Sequence, residues 1–261
     1  MQNRVEELRR MYGIRQETLA EAMEVSRQSI GSIENGRYSP STALAIKIAR
    51  YFGLRVEDVF YLEGTPAWRS VEMLCKMPED SLLMKNRLHN LEIPLPQDRP
   101  ITGQGNRYPS QFSYATFTTA HNGAEPIALF NALLLGGKPM AFADILTELE
   151  GNDLALLDGY AGTDPKALAP FFDAHDIPMT CIDVQSEFVE QVGEGDVFVV
   201  SFWNDRFFRE LKGLRTVAGT YQNGAWVFYN MVNDTMDPRT YRTLPEALRG
   251  KKFILAYLWK K

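Results

Sequence analysis

The feature that most constrains the fold is the stretch AEPIALFNALLL, residues 124–135, which places apolar side chains on nearly every side of a helix. Pro126 suits the first turn of such a helix, and Gly136 and Gly137 suit its end. A helix that is apolar all round must be buried, so other layers of the protein have to cover it. Since 45% of the 261 residues are apolar, the chain has enough apolar surface to do so.

The segments that follow supply candidates for these layers. The residue patterns predict further helices at residues 141–149 and 165–174, and strands at residues 196–203, 216–221, 225–231 and 253–259. Asn223 and Gly224 suit a tight hairpin turn between the second and third of these strands. The sequence therefore predicts an α+β fold with a buried central helix against an antiparallel sheet.

The first 63 residues differ, because their pattern is helical throughout with short breaks that divide it into five helices. Ser26 is a good N-cap for the third helix, and Ser39 with Pro40 is expected to start the fourth. We therefore predict a helical domain at residues 1–63, a connector or subdomain at 64–110, and the α+β domain at 111–261.

The stretch RQETLAEAMEVSRQSIGSIENGRYSPS, within this first domain, resembles the helix-turn-helix domain of the Xre and phage-repressor family. The resemblance implies an all-α domain that binds a double-stranded DNA operator. It places Gln16 against a phosphate at the start of the second helix. It also implies that the third helix reads base edges with Arg27, Gln28, Ser29 and Ser32, and that Asn35, Arg37 and Tyr38 contact the DNA backbone.

Side-chain chemistry supports this interpretation independently, since Gln can bond both N6 and N7 of adenine, and Arg both O6 and N7 of guanine. The formal net charge of -5 means that any DNA contact has to be local. Residues 25–33 contain no acid. For Glu34, the resemblance implies an inward pair with an arginine of the first helix, most simply Arg9. A bundle used only for protein contact is the alternative. Because one such domain holds a half-site weakly, we expect a homodimer.

The second half of the chain resembles papain-like cysteine peptidases, and more narrowly the branch that includes the double-glycine leader peptidases. The resemblance covers residues 112–259 and rests on the order of three segments: HNGAEPIALFNALLLGG, VFVVSFWN and GLRTVAGTYQNGAWVFYN. In that family a cysteine begins the central helix, a histidine begins one hairpin strand, and an asparagine or aspartate ends the next. These three positions fall on Ala124, Arg215 and Asn230.

Two of the three catalytic groups are therefore missing, because a methyl group cannot attack a carbonyl and a guanidinium keeps its proton near neutral pH. As the sequence stands, we expect a pseudo-peptidase, in which Asn122 could still supply an oxyanion-type donor. The likeness implies a retained groove that senses a ligand, with a short peptide as the favoured class. Its candidate ligand-binding residues are Asn122, Ala124, Trp203, Arg215 and Asn230.

Other interpretations stay open at this point. Ala124 could be an engineered change in an active cysteine peptidase, although Arg215 at the histidine position argues against this. The C-terminal domain could also be a dimerisation or partner-docking module, with residues 124–135 serving only as its core.

The sequence shows no pattern typical of a cofactor site, a metal site or a membrane segment. Cys75 and Cys181 form no CxxC pair, and His89, His121 and His175 are scattered, so we expect neither a metal site nor a cofactor. No apolar run approaches 18 residues, and the charged start of the chain is unlike a signal peptide. The expectation is a cytoplasmic protein that does not contact a membrane.

Overall fold

The structure, a computed structural model, describes residues 2–52, 56–61, 68–105, 109–204, 213–231 and 238–261. The chain forms two compact units, Met1–Ala67 and Trp68–Lys261. The predicted boundary between residues 63 and 64 lies outside the described residues. The described part of the predicted connector, from Trp68 onwards, belongs to the second unit.

The first unit is helical, as the sequence predicts. Its elements are β1 (Gln2–Asn3), α1 (Val5–Met11), α2 (Gln16–Met23), α3 (Arg27–Glu34), α4 (Thr42–Tyr51), α5 (Val56–Val59) and β2 (Phe60–Tyr61). One helix start was predicted wrongly: α4 begins at Thr42 because the side chain of Ser41, rather than Ser39, caps it by accepting from the N–H of Leu44.

The expectation of an all-α domain also needs a small correction, because β1 and β2 pair antiparallel, with Gln2 opposite Tyr61 and Asn3 opposite Phe60. Two-residue strands leave no periodic pattern for sequence analysis to detect. The core of the unit is formed by fully buried aliphatic side chains from successive helices: Val5, Leu19, Ile30, Ile33 and Ile48.

The second unit begins with helices and ends with a sheet. Its helices are α6 (Val71–Leu74), α7 (Leu82–Leu91), α8 (Thr119–Asn122), α9 (Ala124–Leu135), α10 (Phe142–Gly151), α11 (Ala169–Ala174), α12 (Gln185–Gln191) and α13 (Leu244–Ala247). Its strands are β3 (Ser113–Tyr114), β4 (Phe117–Thr118), β5 (Met179–Ile182), β6 (Val197–Asn204), β7 (Leu214–Gln222), β8 (Ala225–Tyr229), β9 (Arg239–Tyr241) and β10 (Lys251–Trp259). Single 3-10 turns lie at Pro109–Gln111, Leu156–Gly159 and Pro165–Leu168.

The main sheet has six strands in the order β5-β10-β6-β7-β8-β9, and every neighbouring pair is antiparallel. Helix α9 packs on one face against Val199 and Ala218. The opposite face carries Phe198 and Phe228, which are in one apolar cluster with Phe188 of α12 and Leu244 of α13. The predicted combination of helices with an antiparallel sheet is confirmed.

The bounds of α9 agree with the predicted helix at residues 124–135, and ten of its twelve residues are buried. Gly136 follows the helix at a close approach, since a Cβ there would lie 1.9 Å from the Trp259 ring. The predicted hairpin is also confirmed, because Asn223 and Gly224 have φ of 52° and 70° between β7 and β8.

Other segments were missed or drawn wrongly. The predicted helix at residues 165–174 is a 3-10 turn followed by α11, because Pro170 restarts the helix at its own first turn. Strands β5 and β9 were not predicted, since both are short and lie at the sheet edges. Among the described residues, no helix is long and apolar enough to cross a membrane.

Candidate functional site

The turn between α2 and α3 has the geometry that the sequence predicts. Glu24 adopts a left-handed conformation, with φ of 58°, and its N–H bonds to carbonyls of the last turn of α2. The Ser26 side chain then caps α3 by accepting from the N–H of Ser29 at 3.0 Å. Ser29 Oγ in turn lies 2.8 Å from Ser26 Oγ, so this hydroxyl helps to hold the start of α3.

The carboxylate of Glu34, at the end of α3, points inward. Its Oε1 accepts from Arg9 Nε at 2.6 Å, and its Oε2 accepts from Arg9 Nη2 at 3.2 Å. The Glu34 side chain is 2% exposed and that of Arg9 is 11% exposed. The hydrogen bond to Glu34 raises the pKa of Arg9, although burial opposes the shift. The predicted pair is present, and it removes the acid of α3 from the exposed face.

Gln16 joins the same network. Its Nε2 donates to Glu34 Oε2 at 2.7 Å, and its Oε1 accepts from Arg27 Nε at 3.3 Å. In this structure the amide is therefore engaged within the domain, whereas the resemblance places it against a phosphate. Arg27 also pairs with Glu17 at 3.0 Å, but both side chains are more than half exposed, so DNA could displace this ion pair at little cost.

An open groove of about 370 Å³ lies beside α3. Six of the eight predicted DNA-contact residues lie along it together with Gly31: Gln16, Arg27, Gln28, Ser32, Asn35 and Arg37. Tyr38 is not among these lining residues, but its side chain is 53% exposed. The N–H groups of Arg37 and Tyr38 both donate to the carbonyl of Ser32, which fixes the turn after α3. Six of the predicted contact residues therefore line one groove, while Ser29 belongs to the cap of α3.

The start of α9 forms the second candidate site. Ala124 is its first residue and is 8% exposed. Asn122 precedes it, and its Nδ2 donates to the carbonyls of Tyr114 at 3.0 Å and Gly159 at 2.9 Å. The amide hydrogens that the resemblance directs at an oxyanion are thus engaged by the main chain. Asn122 Oδ1 is buried and has no hydrogen-bond partner among the described residues.

Arg215 and Asn230 are brought together near this helix end. Arg215 Nη2 donates to the carbonyl of Asn230 at 2.6 Å, and its Nη1 donates to Gln104 Oε1 at 3.1 Å. Asn230 Oδ1 accepts from the N–H of Gln104 at 2.8 Å. Burial lowers the pKa of Arg215 to about 10, against the attraction of Glu125. The guanidinium therefore stays charged near neutral pH and cannot act as a base.

Glu125 links α9 to the sheet. It is 2% exposed, its Oε1 accepts from Thr216 Oγ1 at 2.9 Å, and its Oε2 accepts from the N–H of Thr163 at 3.4 Å. Burial raises the pKa of Glu125 to about 7, although these hydrogen bonds and Arg215 oppose the shift. Thr216 follows Arg215 on β7, so one strand end contacts both the carboxylate and the Gln104–Asn230 pair.

Trp203 lies apart from this cluster in the contacts that the structure describes. It is half-buried at the end of β6, opposite Leu214 on β7 and Lys252 on β10. Within the described ranges, no hydrogen bond or ring contact connects it to Asn122, Ala124 or Asn230. Among the described contacts, Arg215 therefore bonds directly to Asn230. Trp203 is connected to them only through the strand pairing of β6 with β7, where it lies opposite Leu214, the residue before Arg215.

Comparison with known proteins gives a clear match for the first unit. A helix-turn-helix family model matches residues 5–59. The uncharacterized HTH-type transcriptional regulator YgzD of Bacillus subtilis is 49% identical over 63 residues, which are 24% of this chain and 96% of that protein. The chain belongs to the helix-turn-helix family of transcriptional regulators.

Archaeal regulators of the family match to a similar extent. An uncharacterized HTH-type transcriptional regulator of Methanocaldococcus jannaschii is 46% identical over 63 residues, 24% of this chain and 96% of that protein. One of Archaeoglobus fulgidus is 44% identical over 68 residues, 26% of this chain and 97% of that protein. These relatives correspond to the DNA-binding domain, and the regulator described here carries a second unit beyond their matched lengths.

Two residues of the regulator's second site were missed in the sequence. Glu125 could have been noticed as an acid within an otherwise apolar helix, a position where a carboxylate is costly. Gln104 gave no such signal, because it lies in a polar stretch between helices and meets Asn230 only through the tertiary fold. In the described part of the regulator, no three His, Cys, Asp or Glu side chains are grouped so that they could hold a metal ion.

Proposed function

We propose that this DNA-binding regulator recognises a specific operator through α3. The observation that carries the proposal is the inward turn of Glu34 onto Arg9 and Gln16, which leaves the α3 groove lined by amide, hydroxyl and guanidinium groups. Gln28 and Arg27 are suited to base edges in the major groove, and Ser32 lies beside them. Asn35, Arg37 and Tyr38, which follow them, are suited to phosphates and set the register.

The operator is expected to consist of two half-sites bound by a homodimer. A single helix-turn-helix domain contacts few base pairs, whereas two domains double the contacts and match a two-fold symmetric sequence. Selection of binding sites from random DNA by the full chain tests this proposal. It should enrich a pseudo-palindrome with half-sites about one helical turn apart. An enriched site without symmetry would contradict the dimer.

For the second unit we propose a papain-like framework that has lost catalysis and senses a ligand. The support is the meeting of a buried α9 with the β7–β8 hairpin, so that Ala124, Arg215 and Asn230 fall at one end of the helix. Ala124 offers no nucleophile, and Arg215 is held by Gln104 and Asn230. A short peptide is the ligand class implied by the resemblance, which is an argument from fold alone.

A signal acts only if it binds two states of the regulator unequally. The direct test is operator affinity of the full chain, measured with and without a library of short peptides that includes double-glycine leader segments. A peptide that binds and changes operator affinity supports sensing. If no peptide binds, the sensing proposal falls while operator recognition stands.

One observation favours a second candidate, a dimerisation or partner-docking module. Gln104, Arg215 and Asn230 hydrogen-bond to one another within the protein, so that at this point the retained site is filled by its own side chains. Such a module predicts that Arg215→Met changes the oligomeric state of the full chain in analytical ultracentrifugation. A ligand-sensing domain predicts that the oligomeric state stays the same.

A further inference from the structure

A crevice of about 270 Å³ lies in the second unit, beside the C-terminal part of α9 and away from Ala124. Its floor is apolar, with Leu133 and Ile177 almost completely buried. Met140 is partly buried and Pro139 is exposed at the edge. A volume of this size fits a compact molecule of about ten non-hydrogen atoms, at the small end of ligand sites.

The other two lining residues are basic. Lys138 is exposed, and its Nζ donates to the carbonyl of Asp176 at 2.5 Å, which holds the ammonium group at the rim. His175 Nε2 lies 2.6 Å from Glu148 Oε2, so Nδ1 is the ring nitrogen left for a ligand, and it is the imidazolium form of the ring that carries a proton there to donate to a carboxylate. None of the six lining residues is acidic. An apolar floor below two basic groups is complementary to a carboxylate that carries a short apolar body.

Glu148 connects this crevice to the beginning of the second unit. The carboxylate is 2% exposed, its Oε2 also accepts from Trp68 Nε1 at 2.8 Å, and its Oε1 accepts from the N–H of Val71 at 3.0 Å. Burial opposes ionisation of Glu148, but hydrogen bonds from His175, Trp68 and Val71 outweigh it and lower its pKa. The imidazole of the crevice and the segment 68–71 therefore share one carboxylate.

Segment 68–71 is the beginning of the second unit, which starts at Trp68. It is also held to Asn152, the residue that follows α10, since the N–H of Arg69 donates to Asn152 Oδ1 at 2.8 Å and Asn152 Nδ2 donates to the carbonyl of Arg69 at 2.9 Å. A change in the hydrogen bonds that Glu148 accepts would therefore alter the contacts of the first residues of the second unit.

We propose that this crevice binds small apolar carboxylates, with Lys138 and His175 taking the carboxylate group and Leu133, Met140 and Ile177 taking the apolar body. Binding at His175 changes the hydrogen bond from Trp68 to Glu148. The site is separate from the start of α9, and its occupation does not depend on the regulator's operator or on peptide sensing.

The test uses the full chain with labelled methionine and isoleucine methyl groups and labelled tryptophan indoles, titrated with octanoate and followed by NMR. Octanol is the uncharged control of the same length. The Met140 and Ile177 methyls should shift saturably with octanoate, and the Trp68 indole should shift in parallel.

Lys138→Gln should weaken octanoate binding roughly fivefold, as for loss of a partly exposed ion pair, and should leave octanol unaffected. Lys85→Gln, a change at an exposed lysine of α7, is the matched control and should behave as the wild type.

Two results would overturn the proposal. If the Met140 and Ile177 methyls show no saturable shift with octanoate, or shift equally with octanoate and octanol, the crevice does not select a carboxylate. Methyl shifts without any change at the Trp68 indole would show that binding does not reach segment 68–71. Since neither the methyl shifts nor the indole shift involve DNA, failure of this proposal is distinguishable from failure of operator recognition.

Discussion

The Nε of Arg9 on α1 lies 2.6 Å from Oε1 of Glu34 at the end of α3, and both side chains are nearly buried. This contact fixes the position of α3 against the first helix. It also withdraws the acid of α3 from the surface that would face phosphates. One ion pair therefore stabilises the domain and also keeps a negative charge away from the groove beside α3.

We predict that Arg9→Ala destabilises the first unit by about 3 kcal/mol, because it leaves the nearly buried carboxylate of Glu34 with only the neutral amide of Gln16 as a donor. Arg10→Ala is the matched control, since Arg10 pairs with Glu6 in an exposed i,i+4 contact, and it should cost less than about 0.5 kcal/mol. Urea unfolding of the two variants measures the difference. Equal losses in both would show that the Arg9–Glu34 pair contributes no more than a surface contact.

The pKa of Glu125 leads to a prediction about pH. Because this acid has a folded-state pKa of about 7, above its unfolded value, the folded state binds the additional proton. Glu125 should therefore lower the stability of the second unit as pH rises from about 4.5 to about 7, by up to roughly 3 kcal/mol. Glu125→Gln should remove this component, and the exposed Glu190→Gln should not. Free energies of unfolding across this pH range test the difference, and parallel curves for wild type and Glu125→Gln would contradict it.

For Ala124→Cys we predict no peptide hydrolysis, because the proposed papain-like framework has Arg215 at the position of its base. The new thiol should also alkylate more slowly than the exposed thiol of Cys75, because Ala124 is buried. Cys75 is the internal reference, since burial raises the pKa of the Cys181 thiol. Alkylation rates across pH and turnover of diverse peptides measure both properties. Hydrolysis, or a thiol with a pKa well below about 8.5, would instead indicate an active peptidase altered at residue 124.

The helix-turn-helix domain could be predicted from the sequence in detail because its signals are local. Ser26 caps the helix that it precedes. The Arg9–Glu34 pair, whose members are 25 residues apart, came instead from the family resemblance. The pairing of β1 with β2 could not be predicted, since it joins residues almost sixty positions apart over only two residues each. Helix α9 was predicted from its composition alone, because an all-apolar stretch has to be buried.

The second site could be predicted only in part. Strand order brought Arg215 and Asn230 into contact, as expected from a hairpin, but the polar partners came from distant segments. Gln104 is 126 residues from Asn230, and Glu125 is 91 residues from Thr216. Contacts of this kind depend on the packing of α9 against the sheet, and no local pattern in the sequence reports them.

The most direct test of the account is the affinity of the full chain for its selected operator and for operators changed at one base pair, measured at several salt concentrations. For Gln28→Ala we predict a loss of about 1–3 kcal/mol of discrimination at one position in each half-site. For Arg37→Ala we predict weaker binding to every sequence and a salt dependence reduced by about one phosphate contact. Undiminished discrimination in Gln28→Ala, or an equal loss of discrimination in both variants, would contradict recognition through α3.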